Sequence, residues 1–178
     1  MGMPTEMRLK SATAASAERF NYIGMHRYLI TLPTLQSAAV FTGRDAVEET
    51  LNRLRDCGLD QRFDIYAYCF LPDRLLLIVR GKDDTANMKA FLRVFRESSN
   101  TAIQPRLGHP LWSRKYLERV LRRTEDSREI ARKIFDLPVK AGLVAPGKPY
   151  PFQGSFVVVK RKESRSSEKH VPYRKPRR

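Results

Sequence analysis

Apolar and polar residues alternate along three segments of the chain, a pattern that predicts β-strands. The segments run from Tyr22 to Leu32, from Phe63 to Val79 and from Trp112 to Arg122. The second segment is interrupted at Leu71-Pro-Asp73. A turn this short implies an antiparallel hairpin, so the second segment is predicted to form two neighbouring strands.

Between these segments, apolar residues recur every three or four positions, which predicts amphipathic helices. Capping residues place the helix starts near Thr42, Asp84 and Thr124, and Gly58 is expected to end the first helix. The resulting order is β-α-β-β-α-β followed by a helix. That order predicts an α+β fold, a ferredoxin-like antiparallel sheet with helices on one face.

The composition changes at both ends of the chain. The first nineteen residues are polar and rich in Ala and Ser, and beyond residue 155 charged residues dominate. We therefore expect one folded domain over residues 20–155, a flexible N-terminus over residues 1–19 and a basic, disordered tail over residues 156–178. At the start of that tail, Phe156 to Val159 predicts one short strand. A hydrophobic content of 42% is enough for a core in a domain of this size.

Basic residues outnumber acidic ones in both the domain and the tail. Thirty-four Lys and Arg against nineteen Asp and Glu give a formal charge of +15 and a pI near 10.3. The segment from Lys160 to Arg178 holds nine basic and two acidic residues, so the rest of the chain is basic as well. Such an excess favours a polyanionic partner, because neutralised phosphates release their condensed counterions. Nucleic acid is predicted ahead of the alternatives, an acidic membrane surface or a role in solubility alone.

The sequence gives no support to a membrane-spanning or secreted protein. It contains no run of about eighteen apolar residues, and its first residues lack an apolar segment followed by a cleavage site. Cys57 and Cys69 do not form a Cys-x-x-Cys pair, and the three histidines share no metal-binding spacing. We therefore expect a cytoplasmic, nucleoid-associated protein with no membrane partner, no disulfide framework and no zinc site.

Four motifs lie in order along the predicted domain. They are Leu71-Pro-Asp73 in the hairpin, Leu111-Trp-Ser-Arg-Lys-Tyr-Leu-Glu-Arg-Val-Leu121, Pro138-Val-Lys-Ala-Gly-Leu-Val144 and Lys148-Pro-Tyr-Pro-Phe-Gln-Gly-Ser155. In order and spacing they resemble the motifs of the single-tyrosine HUH transposases, which include the REP-associated tyrosine transposases. The resemblance implies DNA as the ligand, in single-stranded or hairpin form, such as the palindromic repeats of a bacterial mobile element. It leaves open whether the protein is a monomer or a homodimer.

The resemblance also identifies the positions where this family keeps its catalytic groups. There, two histidines in a His-hydrophobe-His motif and an Asn or Gln hold Mg²⁺ or Mn²⁺, and a tyrosine attacks the DNA phosphorus. In this chain the same positions are occupied by Arg74, Leu76, Leu137 and Lys133. The resemblance therefore implies a degenerate active site, with no catalytic residue, no cofactor and no strand cleavage. Tyr116 and Tyr150 match non-catalytic positions of the family.

Several residues are candidates for contacts with DNA. Arg74 and Lys133 either clamp a phosphate in the former active site or are surface residues that face water. Trp112 either stacks on a base or belongs to the core. The other candidates are Arg93, Arg96, Arg114, Lys115 and Lys140 on the domain, and Lys160, Arg161 and Lys162 on the tail.

Three functions are consistent with this sequence. The first is a DNA-binding protein derived from a single-tyrosine transposase, which binds single-stranded or hairpin DNA without cleaving it. The second is an active transposase or nickase that performs DNA transposition through a rearranged metal site. The third is an RNA-binding or protein-interaction module on the same fold. Metal-dependent covalent attachment to a hairpin would identify the second function, and RNA that outcompetes hairpin DNA would identify the third.

Overall fold

The structure is a computed structural model, and it describes residues 20–157. The predicted domain, residues 20–155, falls within this range. The predicted flexible N-terminus lies outside the described residues, and so does the tail from residue 158 onward, which includes the last two residues of the strand predicted from Phe156.

The described part of the chain forms five strands, four α-helices and one short 3₁₀ helix (Leu35–Ser37). The strands are β1 (Arg27–Pro33), β2 (Phe63–Leu71), β3 (Arg74–Gly81), β4 (Leu117–Val120) and β5 (Gln153–Gly154). The helices are α1 (Arg44–Asp60), α2 (Met88–Leu107), α3 (Ser127–Phe135) and the single turn α4 (Leu137–Lys140). None of the helices in this described part is both long enough and apolar enough to cross a bilayer.

All hydrogen-bonded strand neighbours are antiparallel, and the strand order across the sheet is β4-β1-β3-β2-β5. The first four strands have the order of a ferredoxin-like β-α-β-β-α-β unit, and β5 extends the sheet beside β2. The predicted α+β, ferredoxin-like fold is therefore confirmed. Strand β3 lies at the centre, where it pairs with β1 on one side and with β2 on the other.

One face of the sheet is covered by α1 and α2. Every second residue of β1 from Tyr28 to Leu32, and of β3 from Leu75 to Val79, is buried beneath these two helices. Phe63 of β2 stacks on Phe91 of α2, with 4.7 Å between the ring centroids. Each large apolar side chain that is fully buried in this way contributes about 1.5–3 kcal/mol to stability, so this face holds the main core.

The opposite face of the sheet carries a second, smaller core beneath α3. Cys69 of β2, Ile78 of β3 and Leu121 are buried there together with Ile134 of α3, and Leu76 packs at the side. The prediction of helices on one face thus holds for α1 and α2, whereas α3 covers the other face. The physical reason lies in β3, which is apolar at five successive positions from 75 to 79 and therefore needs cover on both faces.

The strand predicted from Tyr22 begins later, at Arg27. The residues before it turn towards the start of α2, where Ile23 forms a bridge with Asn87 and the Met88 N–H donates to the Tyr22 carbonyl (3.0 Å). The same Asn87, and not Asp84, caps α2, because its side chain accepts a hydrogen bond from the Ala90 N–H (3.1 Å).

Two other predicted boundaries differ from the structure. Helix α1 continues through Gly58 to Asp60. A side chain at Gly58 would meet the Phe63 carbonyl oxygen at 3.2 Å, so this glycine allows close packing against β2 and does not end the helix. The strand predicted from Trp112 is limited to β4, and Trp112 itself forms only an isolated bridge with Thr34.

Replacement of Gly81 by Ala is expected to destabilise the fold by about 1–3 kcal/mol. A Cβ atom at the end of β3 would overlap the Gly24 carbonyl oxygen and approach the Ala86 Cβ to 2.9 Å, so the backbone must shift. Urea denaturation measures the loss. Gly43→Ala is the matched control, because no atom lies within 4 Å of the added methyl group, and only about half a kcal/mol of helix capping is lost there. Equal denaturation midpoints for the two variants would show that the contact between β3 and residue 24 is not close.

Candidate nucleic-acid interface

Arg74 is the first residue of β3, and its side chain is part of an ion pair with its neighbour. The guanidinium Nε donates to Asp73 Oδ1 (2.9 Å) and Nη2 donates to Oδ2 (2.7 Å), so the pair is bidentate. The hydrogen bond from Arg74 lowers the pKa of Asp73. The Arg74 side chain is partly exposed to solvent, but its charge is already paired. A phosphate would therefore have to compete with Asp73 for the guanidinium.

Leu76 lies two residues further along β3, on the same face of the sheet as Arg74. Its cross-strand neighbours are Thr31 and Cys69, and its side chain packs against the second core under α3. Burial raises the pKa of the Cys69 thiol to about 12, so this sulfur stays protonated. The position that matches a metal-binding histidine of the family is thus a partly buried leucine at the side of an apolar core.

Lys133 and Leu137 occupy the remaining positions of the family's active site. Lys133 is exposed in the last turn of α3 and forms no ion pair with another described residue. Leu137 starts α4 and is partly buried. Together with Arg74 and Leu76, these residues offer no carboxylate, imidazole or amide, so they do not fit a divalent metal. Elsewhere within residues 20–157, no three His, Cys, Asp or Glu side chains are grouped closely enough to hold an ion.

Tyr116 and Tyr150, the tyrosines that match non-catalytic positions of the family, have structural partners. The Tyr150 hydroxyl donates to the Phe70 carbonyl oxygen (2.8 Å), and burial raises the pKa of this hydroxyl to about 12. The Tyr116 ring lies beneath the Arg96 guanidinium, 5.3 Å from the ring centroid. Tyr150 is accordingly held in a packing role, and Tyr116 is part of a cation–π contact.

Trp112 belongs to the core, so the alternative in which it stacks on a base is wrong. Only 5% of its surface is exposed, and its Nε1 donates to the Ser99 hydroxyl (2.8 Å). Its ring packs against Phe95 and Phe41, with centroids 6.0 and 5.7 Å away. A residue enclosed on all sides in this way cannot offer a ring face to DNA.

The other predicted contacts on the domain differ in their availability. Arg96 is partly buried, because its Nη2 donates to the Ser113 carbonyl oxygen (2.6 Å). Four side chains are exposed: Arg93, Arg114, Lys115 and Lys140. Arg93 has Glu97 at 3.9 Å, a distance at which an exposed pair is weak. The predicted tail contacts, Lys160, Arg161 and Lys162, lie outside the described residues.

A group of arginines that the sequence did not predict as binding residues lines a cavity of about 970 Å³. The cavity lies between α3 and the end of the sheet where β1 begins and β3 ends, and we call it the arginine groove. The arginines are Arg27, Arg80, Arg123, Arg128 and Arg132. The sequence does show Arg128 and Arg132 one helical turn apart. Their proximity to Arg27 and Arg80 depends on strand register and on the position of α3.

These features define an α+β domain with a ferredoxin-like antiparallel sheet, a basic surface and, within residues 20–157, no cluster of metal ligands. No protein-family model matches the chain, and a search of curated proteins gives no significant match. Among solved structures, the chain is similar to a REP-associated tyrosine transposase bound to a REP hairpin. The TM-score is 0.64 at 21% sequence identity, over 76% of this chain and 79% of that one.

A second similar structure is that of a protein from Deinococcus radiodurans named as a candidate transposase. It has a TM-score of 0.48 and 18% identity, over 64% of this chain and 91% of that one. The resemblance to the single-tyrosine transposases found in the sequence is therefore confirmed at the level of the fold, through the REP-associated tyrosine transposase.

Removal of Arg74 is expected to raise the pKa of Asp73 towards its ordinary value of 3.8. In the unaltered protein the lowered pKa means that the Asp73 carboxylate stabilises the fold above the ordinary pKa, and that this contribution is lost as the pH falls through the lowered value. A ¹³C NMR titration of the Asp73 carboxyl group, with and without Arg74→Ala, measures the shift. Asp83, whose pKa is lowered mainly by hydrogen bonds from Thr85, is the internal control and should titrate alike in both proteins. An unchanged Asp73 would mean that the ion pair does not form in solution.

Proposed function

We propose that this protein binds single-stranded or hairpin DNA and does not cleave it. The observation that carries the proposal is the state of the four positions that resemble the transposase active site. On this fold they hold an arginine paired with Asp73, a leucine packed into an apolar core, an exposed lysine and a second leucine. A transposase-related, DNA-directed function is thus combined with a site that lacks the groups for strand transfer.

The chemistry of strand cleavage explains why these residues argue against it. A tyrosine hydroxyl attacks a phosphodiester efficiently only when it is activated and when a cation neutralises the charge that develops on the phosphate oxygens. Lys133 has no hydroxyl group, and Tyr150 uses its own to bond the Phe70 carbonyl oxygen. Arg74 carries a fixed charge, but its Nε and Nη2 groups already donate hydrogen bonds to the Asp73 carboxylate. DNA can bind to such a site without reacting.

Three features support DNA as the ligand. The chain has a formal charge of +15, which favours a polyanion. The similar REP-associated transposase is described as bound to a REP hairpin, and we extend that ligand class to this protein. Exposed basic side chains are available on several elements of the domain. We propose phosphate contacts for Lys133, Arg93, Arg114, Lys115 and Lys140.

The remaining predicted contacts are Arg74 and the three basic residues of the tail. Arg74 can take part in a phosphate clamp with Lys133 only if the phosphate displaces Asp73, an exchange of one bidentate partner for another. Lys160, Arg161 and Lys162 are proposed as tethered contacts that raise affinity without reading sequence, because they follow the domain directly along the chain.

The test is a paired binding and cleavage assay with an end-labelled DNA hairpin, with and without Mg²⁺ or Mn²⁺, resolved on native and denaturing gels. We expect binding that weakens linearly with the logarithm of the salt concentration, together with intact DNA and no covalent adduct in either metal. Arg74→Ala with Lys133→Ala is the variant that tests the clamp, and it should lower both affinity and salt dependence.

The other outcomes of this assay identify the remaining functions. A metal-dependent protein–DNA adduct would contradict the proposal and indicate an active transposase with a rearranged site. Stronger competition by a hairpin RNA of the same sequence would indicate an RNA-binding module. The absence of any salt-sensitive binding would leave a protein-interaction role on the same fold.

A further inference from the structure

The arginine groove has the properties of a binding site at the end of β3 opposite Arg74. Building on the proposed function, we infer that the groove binds an unpaired stretch of the DNA strand, with its arginines on the phosphates and with a base against the apolar wall. Arg74 and Arg80 are six residues apart on β3, so the groove lies about 20 Å from the Arg74 end of the strand.

The first argument is the pairing of two arginines across the sheet. Arg27 and Arg80 are direct partners in the β1–β3 register, and like charges in such positions destabilise a sheet. The hydrogen-bond partners of both side chains are neutral. Arg27 donates to the carbonyl oxygens of Arg122 (2.7 Å) and Glu125 (3.0 Å) and to the Ser127 hydroxyl (2.6 Å). These acceptors fix the guanidinium in place, and none of them carries a formal charge, so the arginine can still attract an anion.

Arg80 has a similar environment. Its Nη1 donates to the Tyr66 hydroxyl (3.3 Å), another neutral acceptor. The carboxylate on the opposite strand, Asp64, is paired with Lys82 at 3.4 Å. Asp64 is the direct cross-strand partner of Arg80, so its single negative charge is shared between Arg80 and Lys82. With Arg27, three cations therefore stand against one carboxylate at this end of the sheet.

The remaining arginines come from the other wall of the groove. Arg128 and Arg132 project from α3 one turn apart, and Arg123 precedes the helix. Among residues 20–157, the one acidic side chain that lines the groove is Asp126, whose carboxylate accepts a hydrogen bond from the Arg128 backbone N–H (2.8 Å) and so caps the helix. The neighbouring Glu125 bonds Arg119 and the Arg122 N–H. Five cations therefore converge on a cavity whose nearest carboxylates are already engaged.

The shape of the groove favours unpaired nucleotides over a duplex. Tyr66, Phe135 and Met25 form the apolar part of its lining, and a volume of about 970 Å³ is within the range of ligand-binding pockets. A duplex keeps its bases paired and stacked inside, so only an unpaired nucleotide can place a base face against such a wall. Arginines along a groove with aromatic side chains are the combination that binds single strands.

The test compares a blunt-ended DNA hairpin with the same hairpin carrying an unpaired extension of about six nucleotides, a length that one single-strand site accommodates. The variant is Arg123→Gln/Arg128→Gln/Arg132→Gln, which changes three exposed side chains and leaves the structural Arg27 intact. The charge-matched control is Arg44→Gln/Arg53→Gln/Arg106→Gln, three exposed residues of α1 and α2. Circular dichroism confirms that both triple variants are folded.

We expect the unaltered protein to bind the extended hairpin more tightly than the blunt one. The groove variant should lose about tenfold or more in affinity for the extended hairpin, and its salt slope should fall by about 2, because each single-strand phosphate contact contributes about 0.7. On the blunt hairpin it should behave like the control variant. Equal losses on both hairpins, or no loss on either, would overturn the groove as a single-strand site. If the unaltered protein bound neither hairpin, the proposed function itself would have failed.

Discussion

The structure depends on strand β3, which is hydrogen-bonded along both edges and covered on both faces. Its backbone pairs with β1 and β2 over almost its whole length. Leu75, Leu77 and Val79 fill the core beneath α1 and α2, while Leu76 and Ile78 fill the one beneath α3. Any polar side chain in the middle of this strand must find partners inside an apolar layer. The strand therefore ties the two helical layers to one sheet.

This constraint bears on one of the positions at which the sequence analysis expected a metal ligand to be replaced. Leu76 packs against the second core under α3, so its side chain contributes to the fold and offers no ligand atom. The charged residues of the strand, Arg74 and Arg80, lie at its ends, where the apolar cover stops.

Basic residues are consequently concentrated at both ends of the β3 axis. At one end, Arg74 is held in a bidentate ion pair by Asp73. At the other end, Arg27 and Arg80 face the arginines of α3 across the groove, and the hydrogen-bond partners of both side chains are neutral. The groove is therefore the end of β3 at which arginine side chains are not held by a carboxylate.

The sequence was sufficient for the parts of the structure that local rules determine. The Leu71-Pro-Asp73 turn predicts its hairpin, because so short a connection permits only antiparallel neighbours, and the element order predicts the ferredoxin-like sheet. The face covered by α3 was not predictable in this way, since an apolar run such as 75–79 does not say which element covers which side.

The burial of Trp112 shows a similar limit, because its neighbours Ser99 and Phe41 come from other elements of the chain. The arginine groove joins residues about a hundred positions apart, and only the β1–β3 register and the docking of α3 bring them together.

Whether Arg74, Leu76, Lys133 and Leu137 leave this domain without a metal site is tested by a titration of Mn²⁺ into the protein, into a DNA hairpin and into their complex, with the free ion followed by electron paramagnetic resonance. We expect the complex to bind no more Mn²⁺ than the hairpin alone, because these four side chains supply no carboxylate, imidazole or amide. One additional equivalent of tightly bound Mn²⁺ in the complex would contradict it and would show that a metal site persists on this fold.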